Sequence, residues 1–491
     1  MSVNFDWDSS KRRGILTGDH FDEIREHFSA ENKSAKFARY RNRFIAARKY
    51  VITQTGRFDP GMFYEIRKFL VSEQYNTRVT MTESFKANVL PSYNISKITD
   101  DLNLQLRDYQ KDIVDICLRV GRGVVVLATA GGKTLTIANL IQNIFDSTGN
   151  SKSFKCLILV PDIGLVNQTY SDFNEYGTNF LHSKWSGTNK LSLTSNIIIA
   201  NLGILQSSKS NIDWIGDIDL LIVDEVHKLR RDNKINKILK LIQTPHKFGF
   251  TGTLPEEKID QWNIIGNIGP VLFEKDSYQL RAEKYVTNVM VQVLKIHYIQ
   301  EPETTYDRSP SAKYRKELDF IINNDYRNNV LSNLSSNFDN NALILVDYID
   351  HGEILYKSIS KHCPGKKCYF IRGDVDVESR DAVKKLMEKD TNVIVIAISK
   401  IFSTGINIKN LHYIVFASGG KAKVKIVQSI GRGLRLHKDK SKLIIIDIAD
   451  QLYYGYRHMN KRIELYNKEK IKYGIKKLTQ TTSKKEKEKD K

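Results

Sequence analysis

Cysteine is scarce in this chain of 491 residues: Cys117, Cys156, Cys363 and Cys368 are the only four. Cys363 and Cys368 form a C-x4-C pair, but no second Cys or His pair lies at ligand spacing. A zinc site is therefore not expected, and reduced thiols are. Long apolar runs are missing too, since none approaches the roughly 20 residues that span a bilayer. The opening Met1-Ser2-Val3-Asn4-Phe5-Asp6 lacks the basic start and apolar core of a secretory leader. A cytoplasmic protein without a membrane partner is expected. No self-similarity at solenoid periods is present, which sets aside stacked-repeat architectures.

Acid is the other deficit. Lys plus Arg exceed Asp plus Glu by 76 − 56 = 20. On a chain with 41% hydrophobic residues, typical of globular proteins, such an excess favours a polyanionic partner, and nucleic acid first among them. At about 150 residues per domain the length accommodates roughly three domains.

Three textures follow one another. Residues 1–95 are basic and aromatic, and read as a small N-terminal α+β domain that binds nucleic acid. From 96 to 285, short β-branched runs (124–127, 156–160, 197–200, 220–223) alternate with amphipathic helical stretches. The same texture resumes over 286–475, with runs at 342–346, 368–371, 393–397, 413–416 and 443–446. Strands this short, apolar on both faces and separated by helices, indicate parallel sheets covered on both sides. The expected fold is α/β, with two tandem doubly wound parallel-sheet domains. Polar residues 301–311, with Pro302 and Pro310, read as a surface loop, and the Lys/Glu-rich stretch 476–491 as a disordered charged tail.

Three motifs carry chemistry. Ala128-Thr129-Ala130-Gly131-Gly132-Lys133-Thr134 follows an apolar strand and precedes a helical run. In that setting the backbone amides around Ala130, Gly131 and Gly132 cradle phosphates at a helix N-terminus. Lys133 reaches the β and γ phosphates of ATP and the Thr134 hydroxyl holds Mg²⁺. Leu127 stands where the common phosphate loop has its first glycine. Next, the strand 220–223 delivers Asp224 and Glu225 at its C-terminal end, where α/β sheets place their sites. Asp224 suits Mg²⁺ and Glu225 suits the attacking water as general base. Finally, Arg432 and Arg435 share one helix face and can converge on the charge that develops in phosphoryl transfer.

In this order along the chain, the motifs resemble those of superfamily 2 helicases of the DExH type, over roughly residues 100–450. Leu106-Arg107-Asp108-Tyr109-Gln110 is similar to the family's adenine-reading element, which implies nucleotide contacts from Arg107 and Gln110. Asp224-Glu225-Val226-His227 resembles the magnesium motif, and Thr251-Gly252-Thr253 the coupling motif. Ser403-Thr404-Gly405-Ile406-Asn407 resembles the motif touching ATP and nucleic acid, and Gln428 to Arg435 the arginine-finger motif. Residues 402–406, 409–412 and 428–435, with a short basic domain ahead of the motor, are similar to the recombination and repair helicases of T4-type phages. The resemblance implies two RecA-like domains, ATP and Mg²⁺ as cofactors, and ATP-dependent unwinding or branch migration of DNA in recombination, repair or replication restart. It also implies the host cytoplasm as location. A monomer acting on single-stranded, forked or junction DNA is expected. Two departures stand out: Ala130 where many relatives have glycine, and Gly252 in place of the coupling motif's alanine.

In that architecture nucleic acid crosses the two RecA-like domains at Pro161, Asn201, Arg372, Gly373 and Thr404, where small polar groups and amides hold phosphates without reading sequence. In the N-terminal domain Lys33, Lys36, Arg39, Arg41, Arg43, Arg48, Lys49 and Arg57 interleave with Phe37, Tyr40, Phe44 and Tyr50. Basic groups there neutralise phosphates, while the aromatics either stack on bases or form the domain's core. RNA in place of DNA is the first rival, and a non-catalytic nucleic-acid-binding module the second. The motor part of a restriction system is a third, although no nuclease constellation accompanies the motifs.

Overall fold

The computed structural model describes residues 2–32, 46–72, 77–91, 93, 95, 97–207, 212–229, 235–302, 309–372, 385–399, 408, 410–418 and 442–481. Its contacts divide the chain into two compact units, Met1–Ala128 with Gly132–Asp276, and Ser277–Lys491 with Thr129–Gly131.

The first unit begins with a small α+β domain. Its strands are β1 (Ser2–Asp8), β2 (Arg13–Gly18), β3 (Ser29–Glu31), β4 (Arg48–Tyr50), β5 (Arg57–Phe58) and β6 (Arg78–Met81). They form a four-stranded sheet in the order β5-β2-β1-β6 and a separate β3-β4 pair. The larger sheet is mixed: β1 runs antiparallel to β2 and parallel to β6. Alternation sends Val3, Phe5 and Leu16 inward, where they meet Phe58, Phe63 and Phe85, all essentially inaccessible. Phe5 packs edge-on against Phe63, ring centroids 5.0 Å apart, and Phe63 against Phe85 at 5.1 Å. Each such ring contributes roughly 2–3 kcal/mol of burial. These phenylalanines are core. Tyr50 is also engaged within the domain, with the Arg25 guanidinium 3.8 Å from its ring centroid and its hydroxyl donating to Glu26. Residues 33–45, which carry the rest of the basic and aromatic run, lie outside the described residues.

This core continues into the sheet domain that follows. Ile265 and Trp262, on the helix Lys258–Asn267, pack into the same apolar cluster. A side chain at Gly61 would collide with the Ile265 carbonyl and Gly269, so this close approach needs glycine.

The remainder of the first unit is a seven-stranded sheet of β7 (Gly123–Leu127), β8 (Cys156–Val160), β9 (His182–Trp185), β10 (Ile197–Asn201), β11 (Leu220–Asp224), β12 (Lys247–Thr251) and β13 (Val271–Lys275). The order is β13-β7-β12-β11-β8-β10-β9, and every pairing is parallel. All five residues of β7 and of β8 are buried, as helices on both faces require. β7 and β8 are consecutive along the chain, yet β12 and β11 lie between them. The crevice at the C-terminal ends of these strands is where such sheets bind ligands.

The second unit holds β14 (Asn288–His297), β15 (Ala342–Val346), β16 (Lys367–Ile371), β17 (Val393–Ile398), β18 (Tyr413–Phe416), β19 (Lys442–Asp450) and β20 (Lys472–Thr479). They pair in the order β16-β17-β15-β18-β19-β14-β20, again all parallel. The two seven-stranded parallel sheets are the two RecA-like domains expected from the sequence.

Three boundaries differ from the expected ones. The second unit starts at Ser277, ahead of residue 286, because Arg281 donates to the Glu469 carbonyl at 2.7 Å and Ser277 to its carboxylate at 3.0 Å. Its last strand runs to Thr479, beyond residue 475, because Ile475, Leu478 and Thr479 sit in register with Val293, Ile296 and His297 of β14. Lys476 and Lys477, the first residues of the stretch read as a tail, are exposed on this edge strand, where charge keeps other strands from pairing, and residues 482–491 lie outside the described residues. The helix Pro310–Asn323 begins inside the stretch read as a loop, with Ser309 capping the Ala312 amide and Pro310 at its first turn. Among the described residues no helix is long and apolar enough to cross a membrane.

Candidate active site

The phosphate loop follows β7 directly. Ala130 (φ 66°) and Gly132 (φ 78°) both take left-handed conformations, which turn the chain sharply into the helix Lys133–Ser147. Ala130 tolerates the conformation, so the departure from glycine costs strain rather than the turn itself. At Gly132 a side chain would collide with the Gln110 amide. That amide donates to the Gly132 carbonyl at 3.3 Å, and the other end of Gln110 accepts from the Arg107 amide at 2.8 Å. Gln110 thereby reaches back to the N-cap of the helix Asp108–Val120, the one half of a capping box that an arginine N-cap allows, and this fixes Gln110 beside the loop. Arg107 donates to the Tyr109 hydroxyl at 3.0 Å, and the Lys275 ammonium lies 4.9 Å from the Tyr109 ring centroid.

β12 lies between β7 and β11, so the ends of three adjacent strands supply the remaining groups. Lys133 Nζ is 3.8 Å from Glu225 Oε1 and 3.4 Å from the Leu127 carbonyl, a loose hold on its ammonium. Asp224 ends β11, and its carboxylate accepts from the Glu225 amide at 2.9 Å. Glu225 sits at φ 52°, a left-handed bend that turns its carboxylate back toward Lys133 and His227. His227 Nδ1 lies 3.1 Å from Glu225 Oε2 and 2.9 Å from the hydroxyl of the fully buried Thr251 at the end of β12. Thr251 in turn donates to the Thr253 carbonyl at 2.9 Å. A continuous polar chain therefore runs Lys133–Glu225–His227–Thr251–Thr253.

The charges are unevenly shared. Burial and the adjacent Glu225 charge push the Asp224 carboxyl above the usual carboxylate range, against the pull of Lys133. Burial acts on Glu225 as well, but Lys133 and the His227 hydrogen bond outweigh it and hold its carboxyl below that range. Two carboxylates thus compete for one ammonium. The hard oxygens of Asp224 and the Thr134 hydroxyl at the start of the helix Lys133–Ser147 are groups of the kind that hold Mg²⁺. The His227–Thr251 link is the one feature of this site absent from the residues expected to act. Its signal was the presence of both residues in the quoted motifs, but only the parallel β11–β12 register, which pairs Asp224 with Phe250, brings them together.

Pro161, Asn201 and Arg372, the described residues among those expected to hold nucleic acid, fall at strand ends. Pro161 follows β8, and Asn201 closes β10 in register with Val160. Asp162 is occupied as a helix cap, accepting from the Leu165 amide at 3.0 Å. The Asn201 side-chain oxygen is buried with no hydrogen-bond partner, a costly state that favours a donor from outside the chain. In the second unit, Arg372 follows β16 and pairs with Glu353 at 2.9 Å. Gly373, Thr404, Gly405, Gln428, Arg432 and Arg435 lie outside the described residues, as do Arg39, Arg41 and Arg43.

Comparison with known families matches residues 103–256 to the family described as "Type III restriction enzyme, res subunit" and residues 325–437 to "Helicase conserved C-terminal domain". The ATP-dependent DNA helicase uvsW of Enterobacteria phage T4 is 26% identical over 489 residues, covering 93% of this chain and 95% of that one. The DNA 3'-5' translocase XPB2 of Sulfurisphaera tokodaii is 24% identical over 435 residues, 82% of this chain and 92% of that one. Among solved structures, the ATP-dependent Type ISP restriction-modification enzyme LlaBIII bound to DNA superposes with a TM-score of 0.56 at 14% identity. The superposition covers 86% of this chain and 34% of that one, and speaks to the fold alone.

Proposed function

The chain belongs to superfamily 2 of the helicases, and on that premise we propose that it is an ATP-driven DNA motor that unwinds or branch-migrates branched DNA in recombination, repair or replication restart. The observation that carries this reading is the convergence of Lys133, the Asp224–Glu225 pair and the His227–Thr251 link at three adjacent strand ends. Relatives that span nearly the whole chain and are named as a DNA helicase and a DNA translocase support DNA as the substrate.

The phosphate loop and Lys133 bind the β and γ phosphates of ATP, with Gln110 and Arg107 beside the loop on the nucleotide. Thr134 and Asp224 would hold Mg²⁺, which neutralises phosphate charge when bound. Glu225 keeps its carboxylate ionised and takes the proton of the attacking water. Arg432 and Arg435 stabilise the charge that develops on the transferred phosphoryl group, alongside Gln428 and Gly405. His227 joins the hydrolytic carboxylate to Thr251, so a change at the nucleotide reaches the loop after β12 through three hydrogen bonds. Pro161, Asn201, Arg372, Gly373 and Thr404 hold the strand, the N-terminal domain serves as accessory domain, and the two parallel-sheet domains serve as motor domains.

The test is steady-state ATP hydrolysis without nucleic acid and with single-stranded, duplex or forked DNA or RNA, with Lys133→Ala as the control. Strong stimulation by forked or single-stranded DNA and little by RNA is expected. Preference for RNA would reassign the substrate, and turnover at the control level under every condition would refute the motor.

A further inference from the structure

A cleft of about 290 Å³ opens between the N-terminal domain and the N-terminal ends of the strands of the first parallel sheet. Lys11, Arg12 and Arg13 line it from one side, and Arg122, Lys240 and Lys247 from the other. Asp59 is the only carboxylate among its described lining residues, and it is already shared, 3.1 Å from Arg13 and 3.6 Å from Lys240. Six basic side chains thus face one acid.

Arg12, Arg122 and Lys247 are held by backbone carbonyls rather than by acids. Arg122 is 2% exposed, and its Nε donates to the Ile268 carbonyl at 2.8 Å. Lys247 donates to the Ile242 carbonyl at 3.0 Å. Burial, then the Arg122 charge, push the Lys247 ammonium down to about 7, with Asp59 opposing. Asn88, Gln243 and Thr244 add uncharged polar groups to the lining. Gathering like charges in a partly desolvated cleft opposes folding, and an oxyanion offsets that repulsion. Lys247 opens β12 and Thr251 closes it, so the cleft lies a strand length, roughly 13 Å, from the nucleotide end of the sheet.

We propose that this cleft is a second phosphate-binding site, one that clamps the N-terminal domain to the first motor domain when a phosphate group enters. The phosphate belongs either to a DNA backbone or to a free anion, and two arms separate these sources.

Binding is measured without ATP on the full chain carrying Lys133→Ala, so that the phosphate loop contributes little and turnover plays no part. The probes are inorganic pyrophosphate, read as a change in Tm, and duplex DNA, read as affinity against salt. The cleft variants are Lys11→Ala with Arg12→Ala, both on exposed side chains, and Lys240→Ala from the motor side. Lys86→Ala removes a cation of the same domain outside the cleft, and Tm without anion checks that each variant folds.

If the phosphate is a DNA backbone, duplex affinity falls roughly tenfold in the double variant, and the slope of log affinity on log salt shrinks by about 1.8. If it is a free anion, pyrophosphate raises the parent's Tm and fails to raise it in either cleft variant, while duplex binding is unchanged. Lys86→Ala behaves as the parent in both cases. Cleft variants that match the parent in both arms, or a Lys86→Ala loss equal to theirs, overturn the proposal.

Discussion

His351 in the second unit is 1% exposed and lies on the helix Ile349–His362, where its Nε2 is 3.3 Å from Arg327 Nη1. Arginine only donates, so Nε2 must accept and the ring proton sits on Nδ1. Burial, then the Arg327 charge, push the imidazole pKa down to about 3, with Asp450 opposing. A His with a depressed folded-state pKa is neutral when folded but takes up a proton when unfolded below about 6.5. Its contribution to stability is therefore complete above that value and is lost as pH falls from 6.5 toward 3. Between pH 7.5 and pH 5 the unfolded state gains roughly 2 kcal/mol from this protonation, while the folded state gains almost nothing. For a domain of 150–250 residues that corresponds to a fall in Tm of about 4–8 °C.

His351→Gln isolates this term, because glutamine retains an acceptor for Arg327 and does not titrate. Urea unfolding of both proteins at pH 7.5 and pH 5, followed by hydrogen exchange of the helix Ile349–His362, gives the difference of differences. Other groups that titrate in this range cancel in it. The wild type should lose roughly 2 kcal/mol more than the variant on acidification. Equal losses would show that His351 is not held neutral, and would refute the buried Arg327–His351 contact as the source of pH sensitivity.

Glu225→Gln should retain ATP binding and abolish hydrolysis, since the amide can still bond His227 but cannot take a proton; turnover above the Lys133→Ala level would remove Glu225 as the base. Arg432→Ala should cut turnover by about 10³ or more while largely sparing nucleotide affinity, as equilibrium binding and single-turnover assays would show. Arg327→Ala should destabilise the second unit by about 3–5 kcal/mol, because the buried Asp450 carboxylate loses a guanidinium that contacts it at 2.7 and 3.1 Å. A loss below 1 kcal/mol in chemical unfolding would contradict that pairing. Gly61→Val should separate the N-terminal domain from the helix Lys258–Asn267, so limited proteolysis should release that domain from the variant and not from the wild type.

The strands that burial makes apolar on both faces were legible in the sequence. The runs at 156–160, 342–346 and 413–416 match β8, β15 and β18 residue for residue. Those with polar or mixed composition were not: β12 (Lys-Phe-Gly-Phe-Thr) and β9 (His-Ser-Lys-Trp) carry no β-branched run. β20 hid because an edge strand loses the apolar signal on its free side and gains lysines instead. The N-terminal sheet escaped for a related reason: β5 is two residues long, so no periodicity accumulates.

The same distinction runs through the site. Lys133, Asp224 and Glu225 announce themselves because each stands beside the local feature that makes it useful, a glycine turn or a strand end. The His227–Thr251 link has no such marker, since it depends on which strand neighbours β11, and strand order is a property of the whole sheet. The cationic cleft is more distant still. Lys11 and Arg12 come from one domain, Arg122 from the turn before β7, and Lys240 and Lys247 from the approach to β12. In sequence each is one more basic residue in a basic chain, and only the docking of Phe28 and Gly61 against the helix Lys258–Asn267 turns them toward a common point. Local chemistry could therefore be read from motifs. The links that carry a nucleotide's state outward, and the cleft that would tie the two domains together, exist only once sheet order and domain docking are fixed.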